Sequence, residues 1–136
     1  MKPTLGAKQE IHVGAPTVIE TESPDGQFGV VFEDDGETGY FYARDFSRDD
    51  SVFEDALHIY SVEGVTDAHL PSTVHILWSH DSSKACLIIN RHPHAVFDFA
   101  VKCGFSRDVF PEPSPNREWT HQPWEDSLRE HFFPPK

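Results

Sequence analysis

Between residues 28 and 46 the chain reads FGVVFEDDGETGYFYARDF, and apolar and polar side chains alternate on either side of an acidic turn. Phe28, Val30 and Phe32 share one face of a strand and Gly29, Val31 and Glu33 the other, the period of two expected of half-buried β structure. Asp34-Asp35-Gly36-Glu37 follows. An Asp-Gly pair is a strong two-residue hairpin signal because both residues tolerate a positive φ. The return strand, Thr38 to Ala43, puts Tyr40 and Tyr42 on one face and Phe41 and Ala43 on the other. The same period predicts strands over residues 8–13 and 17–22, with Gly14-Ala15-Pro16 between them and a Ser23-Pro24-Asp25-Gly26 turn after the second. Residues 45–55 read as a loop or one helical turn.

Further strands are predicted over 56–62 and 73–78, with a connection over 64–71 between them. His80 to Ser83 turns the chain into residues 85–90, whose nearly continuous apolar run predicts a central strand. Arg91-His92-Pro93-His94 reads as the next turn, leading into a strand over 95–101. The last third is different. Residues 104–121 are Pro-rich and predict an extended segment, and Pro123 could open a short helix over 123–132. Trp124, Leu128 and Phe132 stand four apart, the spacing of a helical stripe that packs back on a sheet. The expected fold is mainly β (α+β), an antiparallel meander, sandwich or partly open barrel of about seven to eight strands with a short C-terminal helix. Phe28, Phe32, Trp78, Phe97 and Phe99 are its expected core.

Composition agrees. A chain of 136 residues fits one domain with one core, and 11 of its 17 aromatic residues are Phe, which suits packing rather than disorder. A single domain over 1–136, with residues 1–6 as a flexible N-terminus, is expected. Charge changes the picture more. Of the formal net charge of −12, the segment from Glu20 to Asp55 carries −10, from twelve carboxylates against Arg44 and Arg48. Such a surface repels nucleic-acid phosphates and anionic lipids and attracts basic proteins, so neither a nucleic-acid nor a membrane partner is expected. The N-terminus has no signal-peptide core and no window reaches the length of a membrane span, so a cytoplasmic protein is expected. Cys86 and Cys103 lack CxxC spacing and read as small buried hydrophobes.

Specific chemistry is hard to place. The cluster Glu33, Asp34, Asp35 and Glu37 lacks the alternating ligands and distant bidentate Glu of a calcium loop. His92-Pro93-His94 reads as a turn with a capped His94, and His58 and His75 as hydrogen-bonded strand residues; metal binding would need three or four convergent ligands. There is no GxSxG elbow, HExxH, zinc-deaminase pattern or phosphate loop. No catalytic residue, metal site or cofactor is therefore assigned.

Residues 31–46 (VFEDDGETGYFYARDF), 56–62 (ALHIYSV) and 76–99 (ILWSHDSSKACLIINRHPHAVFDF) together resemble a family of small bacterial proteins, domain-of-unknown-function family 2251. The similarity runs from about residue 15 to the C-terminal Trp/Leu/Phe segment. Similar proteins tend to carry a small residue and an aromatic where this chain has Arg91 and His92. The resemblance implies no activity, cofactor or site residue. From charge and aromatic placement, the expected function is a non-enzymatic protein-binding domain, of the immunity-protein kind that neutralises a basic cytosolic toxin. Its partner-binding residues would be Glu33, Asp34, Asp35, Glu37, Tyr40 and Tyr42. The alternatives are a small regulatory module that self-associates as a homodimer, and a hydrolase.

Overall fold

The alternating side chains build strands that pack as two face-to-face sheets in the computed structural model, which describes residues 3–47, 53–107 and 118–132. Ten strands occur among the described residues: β1 (Thr4–Ile11), β2 (Thr17–Glu22), β3 (Phe28–Asp34), β4 (Thr38–Asp45), β5 (Asp55–Ser61), β6 (Ser72–Trp78), β7 (Lys84–Ile89), β8 (His92–Asp98), β9 (Cys103–Ser106) and β10 (Thr120–Pro123). One sheet, A, has the order β1-β6-β7-β8-β9-β10, and the other, B, the order β2-β3-β4-β5. The chain begins in sheet A, crosses to sheet B for one meander and returns to sheet A for a second. Every neighbouring pair is antiparallel except β9 and β10, which run parallel.

Between the sheets lies the core. Sheet B contributes Ile19, Val30, Phe32, Phe41, Ala43 and Leu57; sheet A answers with Val74, Ile76, Trp78, Leu87, Phe97 and Phe99. Four of the five expected core aromatics are buried. The fifth, Phe28, is half-buried and stacks on Phe99 with ring centroids 4.3 Å apart. β7 is the central strand that its apolar run predicts, and it is buried from Ala85 to Ile89 because both of its faces are covered. On the outer face of sheet A, Cys86, Ile88 and Val96 lie under Phe132, with Leu77, Phe105 and Trp124 packed around them.

The differences from the sequence expectations have local causes. β1 starts at Thr4, within the segment expected to be flexible, because it pairs with β6 from Thr4↔Trp78 onward. β9 and β10 fall inside the stretch expected to be merely extended, and residues 108–117 lie outside the described residues. The expected C-terminal helix is instead a 3₁₀ turn, Asp126–His131, and residues Thr120 to Pro123 are a strand. The Trp124, Leu128 and Phe132 stripe still packs inward, with Leu128 and Phe132 buried. Finally, the β7–β8 turn is Asn90-Arg91, both with positive φ (51° and 71°), so His92-Pro93-His94 belongs to β8 and not to a turn.

Candidate functional site: an acidic hairpin and an open aromatic face

The β3–β4 hairpin closes one residue later than the Asp-Gly signal implies. Asp35 N–H donates to the Thr38 carbonyl (3.1 Å), leaving Gly36 and Glu37 as the turn. Of these residues only Gly36 has a positive φ, +100°. The Asp35 Oδ1 accepts from the backbone N–H groups of Glu37 (2.9 Å) and Thr38 (2.8 Å), an Asx-type clasp that holds its carboxyl below the usual Asp range.

Asp34 behaves differently from its neighbour. It is 1% exposed. Its Oδ2 accepts from Gly14 N–H at 2.8 Å and from the Tyr60 hydroxyl at 2.6 Å, and its Oδ1 from Gly36 N–H at 2.8 Å. One carboxylate thus ties the β1–β2 crossing, the hairpin turn and β5 together, and it presents no free oxygen to a partner. Burial of the Tyr60 ring, then the bond to Asp34 and its charge, push the Tyr60 phenol well above the ordinary tyrosine range.

Glu33, Asp35, Tyr40 and Tyr42 come near one another, and Glu37 stands exposed at the hairpin turn. Register puts Glu33 opposite Tyr40 and Val31 opposite Tyr42 on the outer face of sheet B. Across the next ladder, Tyr40 faces His58 and Tyr42 faces Ala56. The two tyrosine rings stack at 5.9 Å, and Tyr42 stacks closely on Phe53 (4.4 Å, 17° between planes). His58 meets Tyr40 edge-on at 5.5 Å and also contacts the Ser61 hydroxyl at 3.2 Å. The Arg44 guanidinium lies over Phe46 at 5.1 Å and Phe53 at 5.8 Å, and both rings stay about two-fifths exposed (40% and 39%). Burial raises the Tyr42 phenol pKa, and the charges of Glu33 and Asp35 raise it further. Beside this row a groove of about 360 Å³ is lined by Glu20, Glu22, Gly29, Val31, Arg44 and Phe46. Phe46 fits there because Gly29 has no side chain: a Cβ would stand 2.8 Å from its ring.

Two polar features elsewhere escape a residue-by-residue scan. The His121 Nε2 meets both Asp55 oxygens (2.9 and 2.8 Å), joining β10 of sheet A to β5 of sheet B through side chains that are almost fully buried. His121 and Asp55 are 66 positions apart, and no local spacing signals the pair. His94, expected to be a capped residue of a turn, is half-buried in β8, and burial followed by the charges of Arg107 and His92 lowers its pKa to about 4. Cys86 and Cys103 are buried free thiols, and burial pushes both above the ordinary thiol range. Among the described residues no three His, Cys, Asp or Glu side chains come together as a metal cage, and no helix is long and apolar enough to cross a membrane.

The described residues form a two-sheet β sandwich with an acidic, aromatic outer face on sheet B. The chain belongs to the bacterial family described as "Uncharacterized protein conserved in bacteria (DUF2251)", whose model matches residues 11–133. It is similar to an "Uncharacterized protein" of Haemophilus influenzae, 39% identical over 119 residues that make up 87% of this chain and 74% of that one. No solved structure matches it.

Proposed function

We propose that this protein is a non-enzymatic binding domain that covers a basic protein partner with the outer face of sheet B, in the manner of an immunity protein that blocks a cationic toxin. The observation that carries the proposal is the ring row Tyr40–Tyr42–Phe53, left partly open on a sheet face and set among Glu20, Glu33, Asp35 and Glu37. Rings of this kind anchor interfaces, because they bring large rigid area and a polar tip at low entropic cost. The surrounding carboxylates steer a cationic surface into place and select it over other partners. Asp34 acts through its neighbours: by fixing Gly36 and the turn, it presents Asp35 and Glu37 in one geometry. Catalysis by the partner would be blocked sterically, its Lys and Arg answered by Glu33, Asp35 and Glu37 and a pocket filled by Tyr40 or Tyr42.

A two-fold dimer through the same face is opposed by its charge, since Glu33 and Glu37 would meet their own copies. That favours a different, basic partner over self-association. The test is binding to the product of a neighbouring gene, measured for the wild type, for Glu33→Lys/Asp35→Lys/Glu37→Lys and for Tyr40→Ala/Tyr42→Ala. The charge reversal is expected to slow association and remove its salt dependence, and the tyrosine truncation to speed dissociation at least tenfold. Binding unaffected by both sets, or a stable dimer that buries the tyrosines, would overturn the proposal.

A further inference from the structure

A second site lies at one end of the sandwich, away from the open face of sheet B. There a cavity of about 440 Å³ opens between the sheets, with Val13, Val65, Leu70 and Ile89 among its apolar walls and Tyr60 and His94 among its polar lining. Both polar residues point there because of a bulge, one in each sheet. In β4–β5 the register runs Gly39↔Tyr60 and then Tyr40↔His58, so Ile59 is the extra residue and Tyr60 turns to the core side opposite Gly39. The Tyr60 ring lies over Gly39, where a Cβ would stand 2.7 Å from it. In β7–β8 the register runs Leu87↔Ala95 and then Ile88↔Pro93, so His94 is itself the extra residue. Bulges re-aim side chains, and they recur beside binding and active sites.

What the two residues offer is specific. Tyr60 gives its proton to Asp34, and Asp34 is clamped by the N–H groups of Gly14 and Gly36. The Tyr60 oxygen is therefore a fixed acceptor with no proton left to donate. The His94 imidazole is half-buried and has no hydrogen-bond partner among the described residues. Its ring nitrogens keep solvent access, so one donor and one acceptor remain available to a bound molecule. No Lys or Arg lines the cavity among the described residues, whereas Asp67 does, and the Asp34 charge sits behind Tyr60. Arg107 is drawn off by the Pro93 carbonyl (3.0 Å) and by stacking over Trp124 (4.9 Å). An anion would meet Asp67 and, behind Tyr60, Asp34, with the Arg107 charge near His94 set against them. A donor finds Tyr60 and His94 in the lining.

We propose that this cavity binds a small ring compound, neutral or singly cationic, that presents an N–H or O–H donor to the Tyr60 oxygen and bonds to His94 while its ring packs on the apolar wall. This is independent of the partner face on sheet B. The test is an NMR titration of the full chain with benzylamine, benzyl alcohol and benzoate, following the His94 ring and the Tyr60 resonances. Saturable shifts at both residues are expected with benzylamine and benzyl alcohol and not with benzoate. His94→Phe, which keeps the bulk and loses the imidazole, is expected to weaken binding at least tenfold. Leu70→Trp, at a rim position 51% exposed and so tolerant of substitution, is expected to close the cavity and abolish the shifts. Four results would each overturn the proposal: no saturable shift with any probe, benzoate binding as tightly as the amine, shifts unchanged by Leu70→Trp, or equal affinity in His94→Phe.

Discussion

At the residue scale the sequence offers Asp34 and Asp35 as a pair, and the structure gives them opposite duties. Asp34 extends the series Phe28, Val30, Phe32 on the inward face of β3, and that parity accounts for its burial. Deleting its carboxylate strands two backbone N–H groups and a phenol in a dry environment. Asp34→Ala is expected to cost about 3–5 kcal/mol in urea unfolding, in the range for a broken buried charge interaction. Tyr60→Phe removes only one charge-assisted bond and is expected to cost about 1.5–3 kcal/mol. A double-mutant cycle should show the two losses to be coupled rather than additive. His94 gives a pH signature. Its folded pKa of about 4 lies below the ordinary value of 6.5, so between those values the unfolded chain takes up a proton that the folded chain, with Arg107 and His92 nearby, refuses. Stability should therefore fall as pH drops from about 6.5 to about 4, by at most about 3 kcal/mol from this group, and then level off. Unfolding midpoints across that window should flatten in His94→Phe.

At the scale of elements, the strands with clean alternation or a long apolar run were legible: β2, β3, β4, β6 and β7 lie within a residue or two of their sequence limits. β9 and β10 were not. CGFS and THQP are four residues each with no period to detect, and they become strands only because β8 supplies an edge and β9 then supplies another. The candidate face was partly legible, since the alternation put Tyr40 and Tyr42 together. Arg44 continues that alternation at the end of β4, whereas Phe46 and Phe53, which also complete the face, lie outside the strands where no period places them. The turns explain the remaining shifts. The 23–28 and 79–84 turns are built alike: Ser23 and Ser79 each donate to an Asp two residues on (2.6 and 2.8 Å) and accept the N–H of the residue that closes the turn (both 3.0 Å). The first has Gly26 at φ +76°, and the second has Ser82 at +65° in the same place. Arg91 sits at +71° in the Asn90-Arg91 turn, where glycine is the usual occupant. Ser82→Gly and Arg91→Gly are each expected to stabilise the fold by about 0.5–1 kcal/mol, the relief of left-handed strain less the added freedom of the unfolded chain. Unchanged or lower midpoints in chemical denaturation would show that these side chains hold the turns in some other way.

For the whole molecule, the two sheets have unequal surroundings. Sheet A is central to the fold, with a core on one side and the Trp124–Phe132 segment over part of the other. Sheet B packs one face on the core, and the segment from Glu20 to Asp55, which supplies most of its strands, carries −10 of the net −12. Like charges gathered on one face repel in the folded state more than in an expanded chain, so this acidity works against folding. Added salt, which shortens the screening length to about 8 Å near physiological strength, should raise the melting temperature. Neutralising Glu20, Glu33 or Glu37 to Gln should stabilise by about 0.2–0.5 kcal/mol each, the scale of exposed charge pairs. Asp35→Asn should do the reverse, because its turn amides favour the charged carboxyl and hold its pKa down; its contribution is present above the ordinary Asp pKa and lost as pH falls through the lowered value. Thermal melts of these four variants at low and physiological salt therefore sort the acidic residues into those that build the turn and those that burden the fold. Carboxylates of the second kind destabilise the fold, and the basic partner proposed above would give them a physical role. If all four substitutions destabilise and salt lowers the melting temperature, the acidic face is part of the fold's own stabilisation, and its charge says nothing about a partner.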